Sequence, residues 1–421
     1  MKTIKLITLG CKTNFYESSA MAGLLSGAGY EITEADIADI YIINTCTVTN
    51  TGASKSRQAI RKCKQLNPSS IVAVTGCLAQ LDAEEVAKID GVDIVSGVSR
   101  GNIVELLEGV AAKNDISDEY EEISVVETQS RVRAVVKIQD GCDNYCSYCI
   151  IPFARGRSRS RKLENILAEA SDLAKNYNEI VITGINLSSY GNDLAEDISL
   201  SDVLERLCEI DGIERIRLGS LSPVIVTEDF VLRAKKLDKL CPQFHLSLQS
   251  GCDETLKAMN RRYDTNQYFE AVRLLRENIA DCAITTDLIV GFPGETDEQF
   301  EQSYEFCKQT GFSQMHIFKY SKRDRTVAAG MKNQVLKADK QKRSEKMLAL
   351  ALNMKAEFYQ NYVGRVVDVL FESRKKTGVF HGLTPNYMDV LAKSADNLEG
   401  KIRRVKITGV ENEYLAGEII D

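Results

Sequence analysis

The stretch "VKIQDGCDNYCSYCIIPFARGRSRSR", Val136 to Arg161, decides how the chain is read. Its apolar start reads as a β-strand. Cys142, Cys146 and Cys149 follow in a C-x3-C-x2-C spacing. Fe–S clusters ordinarily take four cysteines. Three thiolates on one short loop can hold three irons of a cubane and leave the fourth iron open. The competing reading is a zinc site completed by a distant residue, but no fourth cysteine or histidine stands nearby.

Outward from this loop, strand and helix alternate. Apolar runs "RAVVKIQ", "EIVITG", "RIRLGS", "FHLSLQ", "CAITTDLIVGF" and "QMHIFKYS" are separated by helical patterns such as "LENILAEASDLAKN". Six β/α units of this kind suit an incomplete barrel. Cys142 then falls at the C-terminal end of the first strand, where such barrels place their chemistry. A charged helix is expected at about 335–360. The final sixty or so residues change to short strands with turns, which reads as a small all-β barrel of OB-like size.

The first hundred residues alternate in the same way. "IKLITLG", "IYIINT" and "IVAVTG" are continuous apolar strands of a parallel α/β sheet. Cys11, Cys46 and Cys77 each stand just beyond the C-terminal end of one of them. That edge is where open α/β sheets bind ligands, so three distant cysteines come to one crevice. This placement predicts a second cluster. Cys63, Cys208, Cys241, Cys252, Cys282 and Cys307 share no pattern and read as small buried hydrophobes.

Composition bounds the rest. The 421 residues hold twelve cysteines and three histidines, so metal sites are mainly thiolate. No apolar run is long enough to span a bilayer, and "MKTIKLITLGCKTN" reads as a first strand rather than a signal peptide. A cytoplasmic protein is expected, and its cysteines then point to metal or redox chemistry rather than disulfides. Net charge is −7, yet charge is uneven. "KNDISDEYEE" (Lys113–Glu122) reads as an acidic linker or frayed connection. "RGRSRSRK" (Arg155–Lys162) and "KIRRVK" (Lys401–Lys406) are basic. Local basic surface can exist on an acidic protein.

The cysteine spacing at a first strand end, with Tyr148 before the last cysteine, resembles the radical S-adenosylmethionine (SAM) superfamily. There, the open iron chelates SAM and an electron from the cluster cleaves it to a 5′-deoxyadenosyl radical. The two triplets together resemble the methylthiotransferases over nearly the whole chain. The matching stretches are "LGCKTNFYES", "INTCTVTNTGASKSRQAIRK", "TGCLAQ", "DGCDNYCSYCIIPFARG", "TGINLSSYG", "LSLQSGCDETLKAMNRRY", "TTDLIVGFPGET" and "FKYSKRDRTVA". The resemblance implies an α/β architecture in three parts. These are an N-terminal methylthiotransferase domain (1–125), an incomplete (β/α)6 radical SAM barrel (126–357) and a C-terminal all-β TRAM domain (358–421). It also implies a transferase with two [4Fe–4S] clusters and SAM as methyl donor and radical source. Cys142, Cys146 and Cys149 would hold the radical-forming cluster, and Cys11, Cys46 and Cys77 the sulfur-delivering one. SAM contacts are expected at Tyr148, Thr183, Gly184, Asn186, Ser247 and Gln249.

Substrates in the family are tRNA adenosines beside the anticodon or a ribosomal-protein aspartate. "LGCKTN" resembles the enzymes acting on N6-threonylcarbamoyladenosine. "RGRSRSR" also lacks the glutamate that relatives acting on isopentenyladenosine or the ribosomal protein tend to carry. The expected reaction is methylthiolation of C2 of N6-threonylcarbamoyladenosine at position 37 of tRNA. Its alternatives are another methylthiotransferase substrate or a non-catalytic Fe–S RNA-binding protein. The expected partners are tRNA, a sulfur donor and an electron donor. Phosphates demand cations, so Arg157, Arg159, Lys401, Arg403 and Arg404 are the expected nucleic-acid contacts, while Arg155 and Arg161 read as structural.

Overall fold

The computed structural model describes residues 1–47, 50–109, 116–125 and 132–420, with the backbone alone at 50–53. Part of the acidic stretch, 113–115, lies outside these residues, and the boundary at 125/126 adjoins undescribed residues 126–131. The rest of that stretch is not a frayed linker. Glu121 Oε1 accepts the Arg100 and Gly101 amides at 2.7 and 2.8 Å, and Tyr120 donates to the Lys137 carbonyl at 2.9 Å.

Strands β1 (Thr3–Thr8), β2 (Glu31–Ile32), β3 (Ile40–Thr45), β4 (Ile71–Gly76) and β5 (Ile94–Val95) form a sheet in the order β2-β1-β3-β4-β5. All pairings are parallel. The central β3 is buried along its whole length, as its unbroken apolar run requires. The two-residue β2 has too little pattern to be read from sequence.

The second unit contains β6 (Ala134–Lys137), β7 (Gln139–Asp140), β8 (Arg159–Ser160), β9 (Glu179–Thr183), β10 (Arg215–Leu218), β11 (Ser220–Leu221), β12 (Gln243–Leu246), β13 (Ala283–Val290) and β14 (Gln314–Lys319). The order β6-β9-β10 continues into β11-β12-β13-β14, with a parallel bridge between Ile216 and Leu240 across the join. Strand residues such as Ile180, Ile182, Phe244, Leu246 and Leu288 share one core with the surrounding helices. Side chains alternate across a strand, so their neighbours line the inner wall. The helix Lys12–Gly27 of the first unit packs on that wall, with Tyr16 and Ala20 against Val135 and Val181.

The helix Lys337–Gln360 leads to a closed barrel of β15 (Val366–Lys376), β16 (Val379–Leu383), β17 (Asp389–Lys393), β18 (Ile402–Glu411) and β19 (Tyr414–Ile419). This barrel docks at the N-terminal ends of β9 and β10. Arg217 pairs with Glu179 at 2.6 Å and donates to the Pro385 carbonyl at 2.8 Å. Arg133 reaches Glu372 at 2.5 Å. No helix among the described residues is long and apolar enough to cross a membrane.

Candidate active site

The Cys142–Cys149 loop is held by its backbone. Gly141 has φ +69°, and a Cβ there would lie 1.8 Å from the Arg157 carbonyl oxygen, so only glycine fits. The Cys142 amide donates to the Gly156 carbonyl at 3.1 Å and the Cys149 amide to the Cys146 carbonyl at 2.9 Å. A segment far along the chain fixes the loop from the other side. Ser147 N and Oγ donate to the carbonyls of Met259 and Ala258 at 3.0 and 2.7 Å. Arg261 Nη1 lies 3.2 Å from Cys146 Sγ, and its guanidinium stacks 4.8 Å from the Tyr263 ring centroid. Burial raises the Cys142 thiol and pushes that of Cys149 up to about 12. Such thiols ionise when a cation ligates them or lies beside them.

The other three cysteines meet at one edge of the first sheet, because β1, β3 and β4 are adjacent there. Cys11 caps the helix Lys12–Gly27, Cys46 follows β3 and Cys77 opens the helix Cys77–Leu81. Gly10 has φ +105°, and a Cβ on it would stand 2.8 Å from Cys46 Cβ. Asn14 Nδ2 ties the loops together by donating to the carbonyls of Leu9 and Thr45 at 2.8 and 2.9 Å. Cys77 is buried, which raises its thiol, and it feels the charges of Arg155 and Cys11.

A buried charge network that sequence reasoning missed joins the elements that carry the two triplets. Glu17, on the helix after Cys11, binds Arg100 at 2.9 Å, Lys137 at 2.9 Å and Arg155 at 2.7 Å. Asp140 binds Lys137 at 2.6 Å and Arg155 at 3.0 Å. Arg155 Nη2 also donates to Asn14 Oδ1 at 2.8 Å. Ala154, on the helix Ile151–Arg155, packs against Cys77. In the loop after β14, burial lowers the Arg323 guanidinium below its ordinary value.

A cavity of about 690 Å³ opens beside Cys146 and is lined by Asn186, Ser189, Arg157, Arg261 and Arg262 among others. Of the residues expected to touch SAM, Asn186 lines it; Tyr148, Thr183, Gly184, Ser247 and Gln249 do not. Gly184 packs against Gln139, whose Oε1 accepts the Asn186 amide at 2.7 Å. Ser247 offers its carbonyl to Tyr263 and Arg261. Gln249 has φ +67° and exchanges backbone bonds with Asp287 and Ile289. Tyr148 is half-buried and packs with Met259, Phe292 and Tyr320. Thr183 is buried at the end of β9.

The arginine run divides. Arg157 is 81% exposed and pairs with Asp143 at 3.3 Å. Arg159 is 6% exposed and spends its guanidinium on the carbonyls of Arg155 and Arg157. Its expected role at a phosphate is therefore corrected: its donors are turned inward. Arg161 is fully buried against Glu169 and Glu122. On the C-terminal barrel Lys401 and Arg404 are exposed, and Arg403 is partly so.

Comparison with known proteins matches this architecture. Residues 3–97 match "Uncharacterized protein family UPF0004", 136–307 the "Radical SAM superfamily" and 360–420 the "TRAM domain". Threonylcarbamoyladenosine tRNA methylthiotransferase MtaB of Bacillus subtilis (strain 168) is 38% identical, over 100% of this chain and 97% of that protein. The chain belongs to the radical SAM methylthiotransferase family. A tRNA-2-methylthio-N(6)-dimethylallyladenosine synthase of Thermoanaerobacter sp. (strain X514) is 36% identical, over 98% of this chain and 92% of its own. In fold, the methylthiotransferase resembles the cobalamin-bound radical SAM methyltransferase TsrM of Kitasatospora setae. The TM-score is 0.58 at 14% identity, over 78% of this chain and 74% of that one. As a member of the family it is a transferase that works with SAM and two [4Fe–4S] clusters.

Proposed function

We propose that the enzyme places a methylthio group on C2 of N6-threonylcarbamoyladenosine at position 37 of tRNA. The observation that carries the substrate choice is the wall of the cavity beside Cys146. Asn186, Ser188, Ser189, Asn192 and the cations Arg157 and Arg262 line it, together with Asp118, Asp143 and Asp193 and the apolar Val224 and Ile225. A threonylcarbamoyl group brings a hydroxyl and a carboxylate that such a wall can bind. A dimethylallyl group would use only Val224 and Ile225 of this wall and none of its polar groups. The B. subtilis relative, 38% identical, carries the matching name. The 36% relatives named for dimethylallyladenosine supply the rival reading. A tRNA substrate in turn implies a cytoplasmic enzyme, with a sulfur donor and an electron donor as further partners.

The donor sets fit the family's clusters. Soft thiolates in threes suit iron–sulfur ligation and leave one iron open. We assign one cluster to Cys142, Cys146 and Cys149, and the other to Cys11, Cys46 and Cys77. The partly buried guanidinium 3.2 Å from Cys146 Sγ suits an anionic thiolate there. When bound, the clusters and SAM supply the radical and the sulfur that an unactivated aromatic C–H requires. The chain's own residues supply the positioning. Arg261 fixes the Cys146 side of the loop, and the Glu17–Arg155–Asp140 network fixes one triplet against the other. Asn186 marks the rim where SAM would lie, with Thr183, Gly184, Tyr148, Ser247 and Gln249 behind it.

The deciding experiment gives anaerobically reconstituted enzyme SAM, dithionite and tRNA bearing either modified adenosine, then digests to nucleosides for mass spectrometry. A methylthio adduct on threonylcarbamoyladenosine is expected. An adduct on dimethylallyladenosine alone would hand the assignment to the rival.

A further inference from the structure

The inner wall of the barrel holds a second group of ligating side chains, distinct from the cysteines. His245 on β12, Asp287 on β13 and His316 on β14 lie on neighbouring strands, with Asp287 in register with His316. Phe244, Leu246, Leu288 and Met315 belong to the helix-facing core, so strand alternation turns the trio inward. One ligand atom from each residue lies within 4.8 Å of the other two.

The His245–Asp287 contact does not have the geometry of a hydrogen bond. His245 Nε2 is 3.3 Å from Asp287 Oδ2, yet this buried nitrogen has no hydrogen-bond partner. Two ligands about 2.1 Å from a shared ion stand roughly 3.0–3.4 Å apart in octahedral or tetrahedral coordination. The His245–Asp287 separation falls in that range. The other ring nitrogen, Nδ1, is 3.0 Å from Thr285 Oγ1, which also accepts from Gln243 Nε2 at 3.0 Å. An oxygen partner at the far nitrogen is the arrangement that orients metal-bound histidines.

We propose that His245 Nε2, the Asp287 carboxylate and His316 form a binding site for one divalent transition-metal ion, of the zinc class, inside the barrel. Two imidazoles and one carboxylate favour such an ion over magnesium or calcium. Three protein ligands leave coordination open toward the lumen.

The test uses the anaerobic holoenzyme with both clusters in place, dialysed to equilibrium against zinc chloride. Iron and zinc per chain are read by plasma mass spectrometry. Wild type should gain about one zinc while its iron stays at about eight. His316→Ala removes an exposed side chain and spares the core; it and Asp287→Asn should bind zinc at least ~10-fold more weakly. No zinc uptake by wild type, equal uptake by all three proteins, or zinc gained only as iron is lost would each overturn the site.

Discussion

Ala154 packs against Cys77, so the short helix that follows one cysteine triplet rests on the last cysteine of the other. The next residue, Arg155, carries the contact into charge. It reaches Glu17 from one domain and Asp140 from its own, all three buried. Burying charges is costly unless each is paired and hydrogen-bonded. Here every carboxylate has two or more cationic partners, and the cost is met at one relative placement of the two domains.

That placement predicts a split between two chemistries. Glu17→Gln keeps the shape of the side chain and removes the charge that Arg100, Lys137 and Arg155 share. On the proposed assignment, SAM cleavage needs the Cys142 loop and the SAM rim but not the second triplet, and should stay near wild type. Sulfur transfer depends on both triplets and should fall about tenfold or more, as expected for a misplacement far from the chemistry. The ratio of methylthio product to 5′-deoxyadenosine reads this directly. A proportional loss of both would mean that Glu17 holds only the fold.

The same carboxylate sets an acid limit. Burial alone would raise Glu17, but Arg100, Arg155 and Lys137 hold it at about 2, against an ordinary value of 4.5. A folded value below the unfolded one stabilises at pH above about 4.5, and that stability is lost as pH falls from there toward 2. At full titration the loss is about 3 kcal/mol. Thermal unfolding of wild type should therefore drop more steeply below pH ~4.5 than that of Glu17→Gln; parallel curves would contradict the pairing.

Gly10 gives a steric prediction. Its φ of +105° and the 2.8 Å approach to Cys46 Cβ exclude any side chain. Gly10→Ala should push Cys46 away and cost the second cluster, lowering iron from about eight to about four per chain. SAM cleavage should persist. Gly27→Ala is the control, since a Cβ there meets nothing within 4 Å. Full iron in Gly10→Ala would show that the Cys11 loop does not need this approach.

The extent to which the sequence revealed this site follows from range. Cys11, Cys46 and Cys77 were legible because each ends a strand whose apolar run is unmistakable. The six barrel strands were legible for the same reason. β7 and β8 are two residues long and show no period. Arg261 stands 115 residues from Cys146, and nothing local marks a guanidinium that folds back onto a thiol. Arg159 was misread because a run of arginines resembles solvated surface. Its acid, Asp140, lies across a β-pair, and its other partners are carbonyls that no sequence pattern displays.

The division of the basic residues yields the last prediction. Phosphate contacts come from exposed cations, and each one lost lowers the slope of log affinity against log salt by about 0.7–0.9. Lys401 and Arg404 are exposed at β18 and just before it, beside β15, whose end carries exposed Arg374, Lys375 and Lys376. This surface is on the barrel that docks at the N-terminal ends of β9 and β10, away from the cysteine loops at the strands' other ends. Lys401→Ala combined with Arg404→Ala should weaken tRNA binding and reduce the salt slope by about 1.4–1.8. SAM cleavage without tRNA should be unchanged. Arg159→Ala should behave oppositely: its donors are satisfied internally, so it should lower thermal stability and leave the salt slope alone. Binding titrations at several salt concentrations, with thermal unfolding alongside, separate the two classes. A normal slope in the Lys401/Arg404 double variant would remove the C-terminal barrel from the tRNA path.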